Sequence, residues 1–381
     1  MKIFIIARGY PSKQEPTWGC FEKDQAEALS QLGHQVTILS VDTRFRFYWR
    51  RLGIQYHKDH NIATYNIFLL PYALLFFLPK QLKNWFYTLQ LEWTYKRAIS
   101  KEGTPDILYS HYLHNTNKAI RIHKKYDIPL VGIEHWSQMA FQPISKETIT
   151  LAKQVYSSID SLITVSSALR DNIFKQIGFN SIVIPNMVGS EFYFQENLSK
   201  NSTIRIISTG RLVFEKRFDL LISAMANIHQ PFELNIIGNG PEKNKLQQLI
   251  HKHNLEDQIH LLGYKTKPEI VQLLQNSDLF ILPSQSETFG VAYIEALACG
   301  LPIIATDCGG PRDIVTKENG LLVPINDLES LSISITYMIN NINHYNRQAI
   351  AADCISRFSS KSIAQQLTKV FENTYKKTKF K

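Results

Sequence analysis

No apolar run in this sequence is long enough to cross a membrane; the nearest candidate, Ile67–Leu78, is broken by Pro71. Cysteine is scarce. The four present (Cys20, Cys299, Cys308, Cys354) form no C-x-x-C pair and imply no disulfide framework. The opening run KIFIIA is too short for a secretory h-region, lacks a small-residue cleavage site, and is followed at once by Arg8 and Pro11. The N-x-S/T triplets at Asn197 and Asn201 therefore carry little weight, and a cytoplasmic protein is expected. No G-x-G-x-x-G follows the first strand, so the Rossmann-like opening announces no dinucleotide. No D-x-D pair suggests a bound metal, and His111, His114 and His135 lack ligand spacing with a carboxylate. No nucleic-acid module signature and no low-complexity tract are found.

What is there is ordinary globular material, with 44% hydrophobic and 20% charged residues over 381 positions, enough for two cores. The net charge of +9 is uneven: residues 1–187 and 358–381 are basic, whereas 188–357 are acidic on balance. A basic surplus of this kind suits nucleic acid, an anionic membrane or an anionic substrate.

The stretch Leu279–Val315 reads as strand (Leu279–Leu282), loop, alanine-rich helix, strand (Ile303–Ala305) and glycine-rich loop, with Gly300 and Pro302 ending the helix. Glu295 sits in that helix among Val291, Ala292, Ile294, Ala296, Leu297 and Ala298, so a buried carboxylate in need of a partner is expected. Glu287 lies in the loop before the helix N-terminus, where free N–H groups suit a phosphate. The spacing alone also allows a solvated loop acid at Glu287 and a structural ion pair at Glu295.

Earlier in the chain, residues 2–8 read as a buried parallel strand, followed by a loop, a helix from about Cys20 to Leu32 and a strand at Val36–Ser40. Gly19 is either a point of close backbone approach or a turn glycine. Residues 44–95 interleave Arg44, Arg46, Arg50 and Arg51 with Phe45, Phe47, Tyr48 and Trp49, then run through Ile67–Leu78 to Lys80, Lys83, Trp85, Phe86 and Tyr87. Two readings fit: a membrane-interface surface, or a core helix pair with a basic outer face. Strands at Asp106–Tyr109 and Pro129–Glu134 lead to His111 and His135, and strand ends in open α/β sheets are where ligands sit. In the second half, Arg211 and Lys216 follow the strand Ile204–Ser208 and could neutralise a diphosphate, or simply be exposed cations.

Glu287-Thr288-Phe289-Gly290 through Glu295, with Ala298-Cys299-Gly300-Leu301-Pro302 and Gly309-Gly310, resembles the E-x7-E region of the retaining glycosyltransferases of family 4. Gly210–Lys216 resembles the same family's G-R-L-x-x-x-K, and the likeness extends more loosely over almost the whole chain. The departures are Met187 after I-P-N and Arg217 after the lysine, where the family usually has glycine.

The resemblance implies an α/β protein of GT-B class, two Rossmann-like domains facing each other across a cleft. Their expected limits are 1–187, with a returning C-terminal helix in 358–381, and 188–357. It implies a retaining, metal-independent transfer of a hexosyl unit from a UDP- or GDP-linked sugar to a saccharide or lipid-linked acceptor, with no further cofactor. Arg211 and Lys216 would grip the donor diphosphate, aided by Thr288, Phe289 and the helix N-terminus after Gly290. Gly19, Gly238 and Gly240 would lie against the donor, Glu295 would take the ribose and Glu287 the sugar. His135 would face the reacting sugar and acceptor, with His111 a weaker second. The basic aromatic stretch adds an expected peripheral contact with an anionic membrane, on its inner, cytoplasmic face. Two other functions stay open: a sugar-nucleotide epimerase of the same fold, and a non-catalytic member of a polysaccharide assembly complex.

Overall fold

The computed structural model describes residues 1–12, 15, 18–44, 51–59, 61–69, 77–140, 143–196 and 203–379. The chain forms two compact units, one of Met1–Val165, Leu169–Pro185 and Ser360–Lys381, the other of Ser166–Ala168 and Asn186–Ser359.

Unit 1 runs β1 (Lys2–Ala7), α1 (Cys20–Gln31), β2 (Gln35–Asp42), β3 (Gly53–Asp59), β4 (Ile62–Phe68), α2 (Lys80–Glu102), β5 (Ile107–His111) and α3 (Leu113–Tyr126). It continues through β6 (Leu130–Glu134), α4 (Ser137–Ala140), α5 (Lys146–Tyr156), β7 (Ser161–Thr164), α6 (Ser167–Ile177) and β8 (Ile182–Val183). The sheet order is β3-β4-β2-β1-β5-β6-β7-β8, with only β3 antiparallel to its neighbour. Ile3–Ala7 are all buried, as a central strand covered on both faces requires.

Unit 2 holds β9 (Ile204–Thr209), α7 (Phe218–Met225), β10 (Phe232–Ile237), α8 (Lys243–Lys252), β11 (Ile259–Gly263), α9 (Lys267–Gln275) and β12 (Leu279–Leu282). Then come α10 (Val291–Ala298), β13 (Ile303–Thr306), β14 (Gly320–Val323), α11 (Leu328–Asn340) and α12 (Arg347–Phe358). Its six strands are all parallel, in the order β11-β10-β9-β12-β13-β14. The final helix, α13 (Ser360–Lys379), packs in unit 1, where Phe371 lies edge-on to Tyr109 at 4.9 Å and Thr374 bonds Ser161 at 2.9 Å.

Both sheets have a switch point, where chain order reverses between neighbouring strands: β1 and β5 in unit 1, β9 and β12 in unit 2. There the connections leave in opposite directions and open a crevice at the carboxyl ends of the strands.

The structure corrects the reading of residues 44–95 as a helix pair. β3 and β4 pair antiparallel at the sheet edge, and among the described residues of this stretch only α2 is helical. The strand GIQYHKD is largely exposed, so it carries no apolar alternation to betray it. Residues 45–50 and 70–76, with Arg46, Arg50 and Pro71, lie outside the described residues, as do Asn197 and Asn201.

Helix α2 is clamped to α3 through Glu92. This buried carboxylate takes hydrogen bonds from Arg121 Nε at 2.6 Å and from Lys125 Nζ and the Tyr126 hydroxyl. Burial alone would raise the Glu92 carboxyl, but the donors outweigh it and hold it at about 2. A carboxyl depressed in the fold stabilises above its ordinary pKa and loses that contribution as pH falls toward the folded value. Arg121 and Lys125 are half exposed, so solvent screens part of the effect. Glu92→Gln is therefore expected to lower the unfolding free energy by about 1–2 kcal/mol at pH 7, with the difference closing between pH 4.5 and 2. Urea titrations of both proteins at pH 7 and pH 3 check this; a gap that does not narrow would remove Glu92 as the clamp.

Candidate functional site

The unit 2 crevice is built from four loops at strand ends. After β9, the segment Gly210–Arg217 leaves the sheet and contains one turn of 3-10 helix at Phe214–Lys216. After β10, Gly238–Pro241 folds back onto it. Gly238 has φ +142°, and a Cβ there would lie 1.8 Å from the Gly210 carbonyl oxygen, so only glycine fits. A Cβ at Gly240 would lie 2.2 Å from the Leu212 carbonyl oxygen, and Leu212 N donates to Asn239 O at 3.0 Å. The two glycines thus hold the Arg211 loop in place by main-chain contact, while Arg211 itself is exposed.

The loop after β12 brings Glu287 to Lys216 across the switch point. Their charged ends form an ion pair, and Ser284 Oγ donates to the same Glu287 oxygen at 2.9 Å. Glu287 is mostly buried, its side chain 12% exposed against 24% for Lys216. This excludes the solvated loop acid that the sequence left open. Ser284 was missed in the sequence; its only signal is its position three residues before the glutamate. Glu287 is also fixed by its main chain, whose carbonyl accepts from Gly310 N at 3.0 Å. Cys308, on the following loop, is pushed up to about 11, by burial first and by the Glu287 charge among lesser causes.

Thr288 offers its carbonyl to Ser166 Oγ at 2.6 Å, and Phe289 is buried edge-on to Phe358 at 5.8 Å. The Phe289 ring therefore serves packing. Gly290 stands at the N-terminal boundary of α10 with φ +107°, tight against the Tyr293 ring. Glu295 departs from the sequence reading: it is not fully buried. Val291, Ala292 and Glu295 share an intermediate exposure along one stripe of α10, while Tyr293, Ile294 and Ala296–Ala298 are buried. An apolar sequence all round concealed this stripe, because alanine and valine line it as readily as they fill a core. Arg211, Lys216, Gly238, Gly240 and Glu287–Gly290 thus sit on the loops after β9, β10 and β12, and Glu295 on the open stripe of the helix that follows.

The switch point of unit 1 carries a second cluster. Arg8, at the end of β1, pairs with the fully buried Glu22 of α1 at 3.0 Å and lies 4.0 Å over the Tyr112 ring, which follows β5. Trp18 sits between guanidinium groups, with Arg8 4.9 Å and Arg44 3.3 Å from its ring. Gly19 caps α1 in the left-handed region, and a Cβ there would meet the Gly9 carbonyl oxygen at 2.3 Å. Here the close approach is to the chain's own backbone.

His111 and His135 are brought together, Nδ1 of the first 3.1 Å from Nε2 of the second. The His135 ring is stacked between His111 at 5.2 Å and Phe21 at 6.1 Å. Burial, and then the Arg8 charge, push His111 down to about 3, so it is neutral at physiological pH. Beneath them Glu134 accepts from the backbone N–H groups of Leu113, His135 and Trp136 at 3.0, 3.0 and 2.8 Å, and from the Tyr156 hydroxyl at 3.2 Å. One buried carboxylate thereby ties the loops after β5 and β6 together and orients His135. Burial raises the Glu134 carboxyl and these donors only partly offset it. Arg8, Glu22, Tyr112 and Glu134 were not singled out from sequence, and only the strand-end positions of Arg8 and Glu134 hinted at them. Among the described residues no group of three or more His, Cys, Asp or Glu is placed to hold a metal ion, and no helix is long and apolar enough to cross a membrane.

Two family profiles match the chain, Glycosyltransferase Family 4 over residues 23–192 and Glycosyl transferases group 1 over residues 189–353. A glycosyltransferase of Methanocaldococcus jannaschii is 31% identical over 248 residues, covering 65% of this chain and 68% of that protein. A Bacillus subtilis glycosyltransferase, TuaC, whose name places it in teichuronic acid biosynthesis, is 28% identical and spans 88% of both chains. Among solved structures, the sucrose-phosphate synthase of Thermosynechococcus elongatus superposes with a TM-score of 0.77 at 20% identity, covering 98% of this chain and 99% of its own. The Anabaena protein HepE, solved with UDP, gives 0.74 at 19% identity, with coverage of 98% and 99%. On these matches and on its two parallel-sheet Rossmann-like units, the chain belongs to the family 4, group 1 glycosyltransferases of GT-B fold.

Proposed function

We propose that this glycosyltransferase moves a hexosyl unit from a UDP- or GDP-linked sugar to a saccharide or lipid-linked acceptor in surface polysaccharide synthesis, with retention of anomeric configuration. The observation that carries the reading is the Lys216–Glu287 pair at the unit 2 switch point, beside exposed Arg211 and the N-terminus of α10. Departure of a nucleoside diphosphate builds negative charge, and fixed cations with a helix N-terminus stabilise that charge where a metal otherwise would. In this proposal Lys216 and Arg211 hold the diphosphate and Glu287 accepts from hydroxyls of the sugar. Glu295, on the open stripe of α10, accepts from the ribose. His135, held by Glu134, His111 and Phe21, acts in the transfer step. The name of the Bacillus relative supports the pathway class.

Membrane contact is part of the proposal. Leu82, Trp85, Phe86 and Trp93 are exposed along one stripe of α2, which continues to exposed Lys96 and Arg97. Rings with flanking cations suit an anionic bilayer surface, on the cytoplasmic side where nucleotide sugars are made. Trp85→Ser and Trp93→Ser are each expected to lower binding to anionic vesicles about fivefold, from losing roughly half of the ~1.5–3 kcal/mol of full ring burial. Flotation of the unmodified protein at low salt decides it: a protein that stays unbound has no such surface.

Arg211→Ala or Lys216→Ala should each weaken nucleoside diphosphate binding by about 1.5–3 kcal/mol, as for loss of a charge-assisted bond. Calorimetry finding both variants at full affinity would overturn the diphosphate assignment. Glu287→Gln is expected to reduce turnover while nearly preserving UDP or GDP affinity, whereas Glu295→Gln should weaken free-nucleotide binding itself. Binding and steady-state kinetics on the two variants separate these roles. Equal loss of nucleotide affinity would refute the division. Incubating donor alone, and reading the anomer of any product by NMR, tests transferase against epimerase and retention against inversion.

A further inference from the structure

Unit 1 contains an open cavity of about 970 Å³ that the site described above does not use. It is lined mainly by three helices. Gln81 and Asn84 come from α2, Asn117 and Lys118 from α3, and Lys146 and Thr148 from α5. Its volume falls in the range of roughly 300–1,000 Å³ usual for small-molecule sites. The lining is unlike a core. Amides, hydroxyls and two lysines face inward with His114, and Glu147 is the single acid.

Lys118 gives the cavity its character. It keeps an intermediate exposure, yet no described residue forms an ion pair or hydrogen bond with it, and burial alone brings its amine down to about 8. A lysine so enclosed without a counter-charge is costly, and a chain with only a structural use for that position would place a neutral residue there. The first-turn N–H groups of α3 and α5 are already engaged, Leu113 N by Glu134 and Thr148 N by the Ser145 hydroxyl, so the charge of the cavity comes from its side chains. Two ammonium groups and uncharged amide and hydroxyl donors around one space select a multiply charged anion.

We propose that this cavity holds the phosphate or diphosphate group of the acceptor, with Lys118 as its central counter-ion and Lys146 at the entrance. The identity of the anion as part of an acceptor rests on the glycosyltransferase reading; the anion site itself does not. The exposed stripe of α2 is the next face of a helix that also lines the cavity. A lipid tail lying along Leu82, Trp85 and Phe86 would thus bring its headgroup phosphates to Gln81 and Asn84.

The test follows the amine directly and needs no turnover. The full chain, saturated with UDP or GDP to occupy the nucleotide site, is treated at pH 7.5 with an amine-reactive reagent, and labelling of Lys118 is followed by peptide mass spectrometry. Inorganic pyrophosphate, farnesyl diphosphate and farnesol are the three probes. Farnesyl diphosphate is expected to slow labelling of Lys118 about tenfold while exposed Lys96 reacts unchanged, and farnesol to give no protection. Protection should fade above pH 8, where the amine of the free site is neutral and Lys146, His114, Glu147 and Tyr87 are the remaining titratable groups facing it. Lys146→Gln should raise the protecting concentration about tenfold. In calorimetry Lys118→Gln should lose farnesyl diphosphate binding that Lys118→Arg retains, with UDP or GDP affinity unaltered in both. Protection by neither phosphate probe overturns the site, and protection by pyrophosphate alone overturns the acceptor. Failure of nucleotide binding with Lys118 still protected would instead count against the donor assignment.

Discussion

A lysine and a glutamate that are 71 positions apart in sequence meet where two neighbouring strands send their connections opposite ways, and the layout of unit 2 serves that meeting. The order β11-β10-β9-β12-β13-β14 leaves the ends of β9 and β12 uncovered. Gly238 and Gly240 press one loop into position, while Ser284 and the Gly310 amide fix the other. The two charges satisfy each other. With side chains 24% and 12% exposed, the pair is preorganised, half-desolvated electrostatics and not a pair of floating surface charges.

Unit 1 solves a related problem with different groups. Its switch point is closed by Arg8 on Glu22 and Tyr112, and Glu134 converts one buried negative charge into an anchor for two loops. The histidines stand on that anchor. A neutral, deeply buried His111 stacked on His135 limits how the latter can turn. The orientation of His135 is therefore set by Glu134, His111 and Phe21.

Much of the scaffold was legible because buried parallel strands advertise themselves as short apolar runs. KIFIIA, LFIL and the flanks of the alanine-rich helix were bounded within a residue or two. The antiparallel pairing of β3 with β4 was not legible, since an exposed edge strand need not alternate. The loops bearing Arg211, Lys216, Gly238, Gly240 and Glu287 were found through motif likeness. Their spacing alone was ambiguous, and nothing in it disclosed that Lys216 pairs with Glu287 or that Glu295 lies on a half-open stripe. Pairings across the sheet depend on strand order, and a one-dimensional pattern does not encode strand order. Buried acids such as Glu22 and Glu134 were hidden for the same reason, their partners being far away in sequence or on the main chain.

The placement of α13 has a consequence for biosynthesis. Phe371 covers Tyr109, whose hydroxyl bonds Gln25 at 2.7 Å, and Thr368 bonds His34 at 2.8 Å, so unit 1 is finished by residues made after all of unit 2. Unit 2 is contiguous apart from three residues and is complete in the growing chain before that helix has been translated. On the ribosome, the domain that starts first must wait with an uncovered apolar face while the later one closes. The interval is the time to add about 200 residues, of order 10–40 s at typical elongation rates. Chaperone demand during synthesis should therefore fall on the N-terminal half.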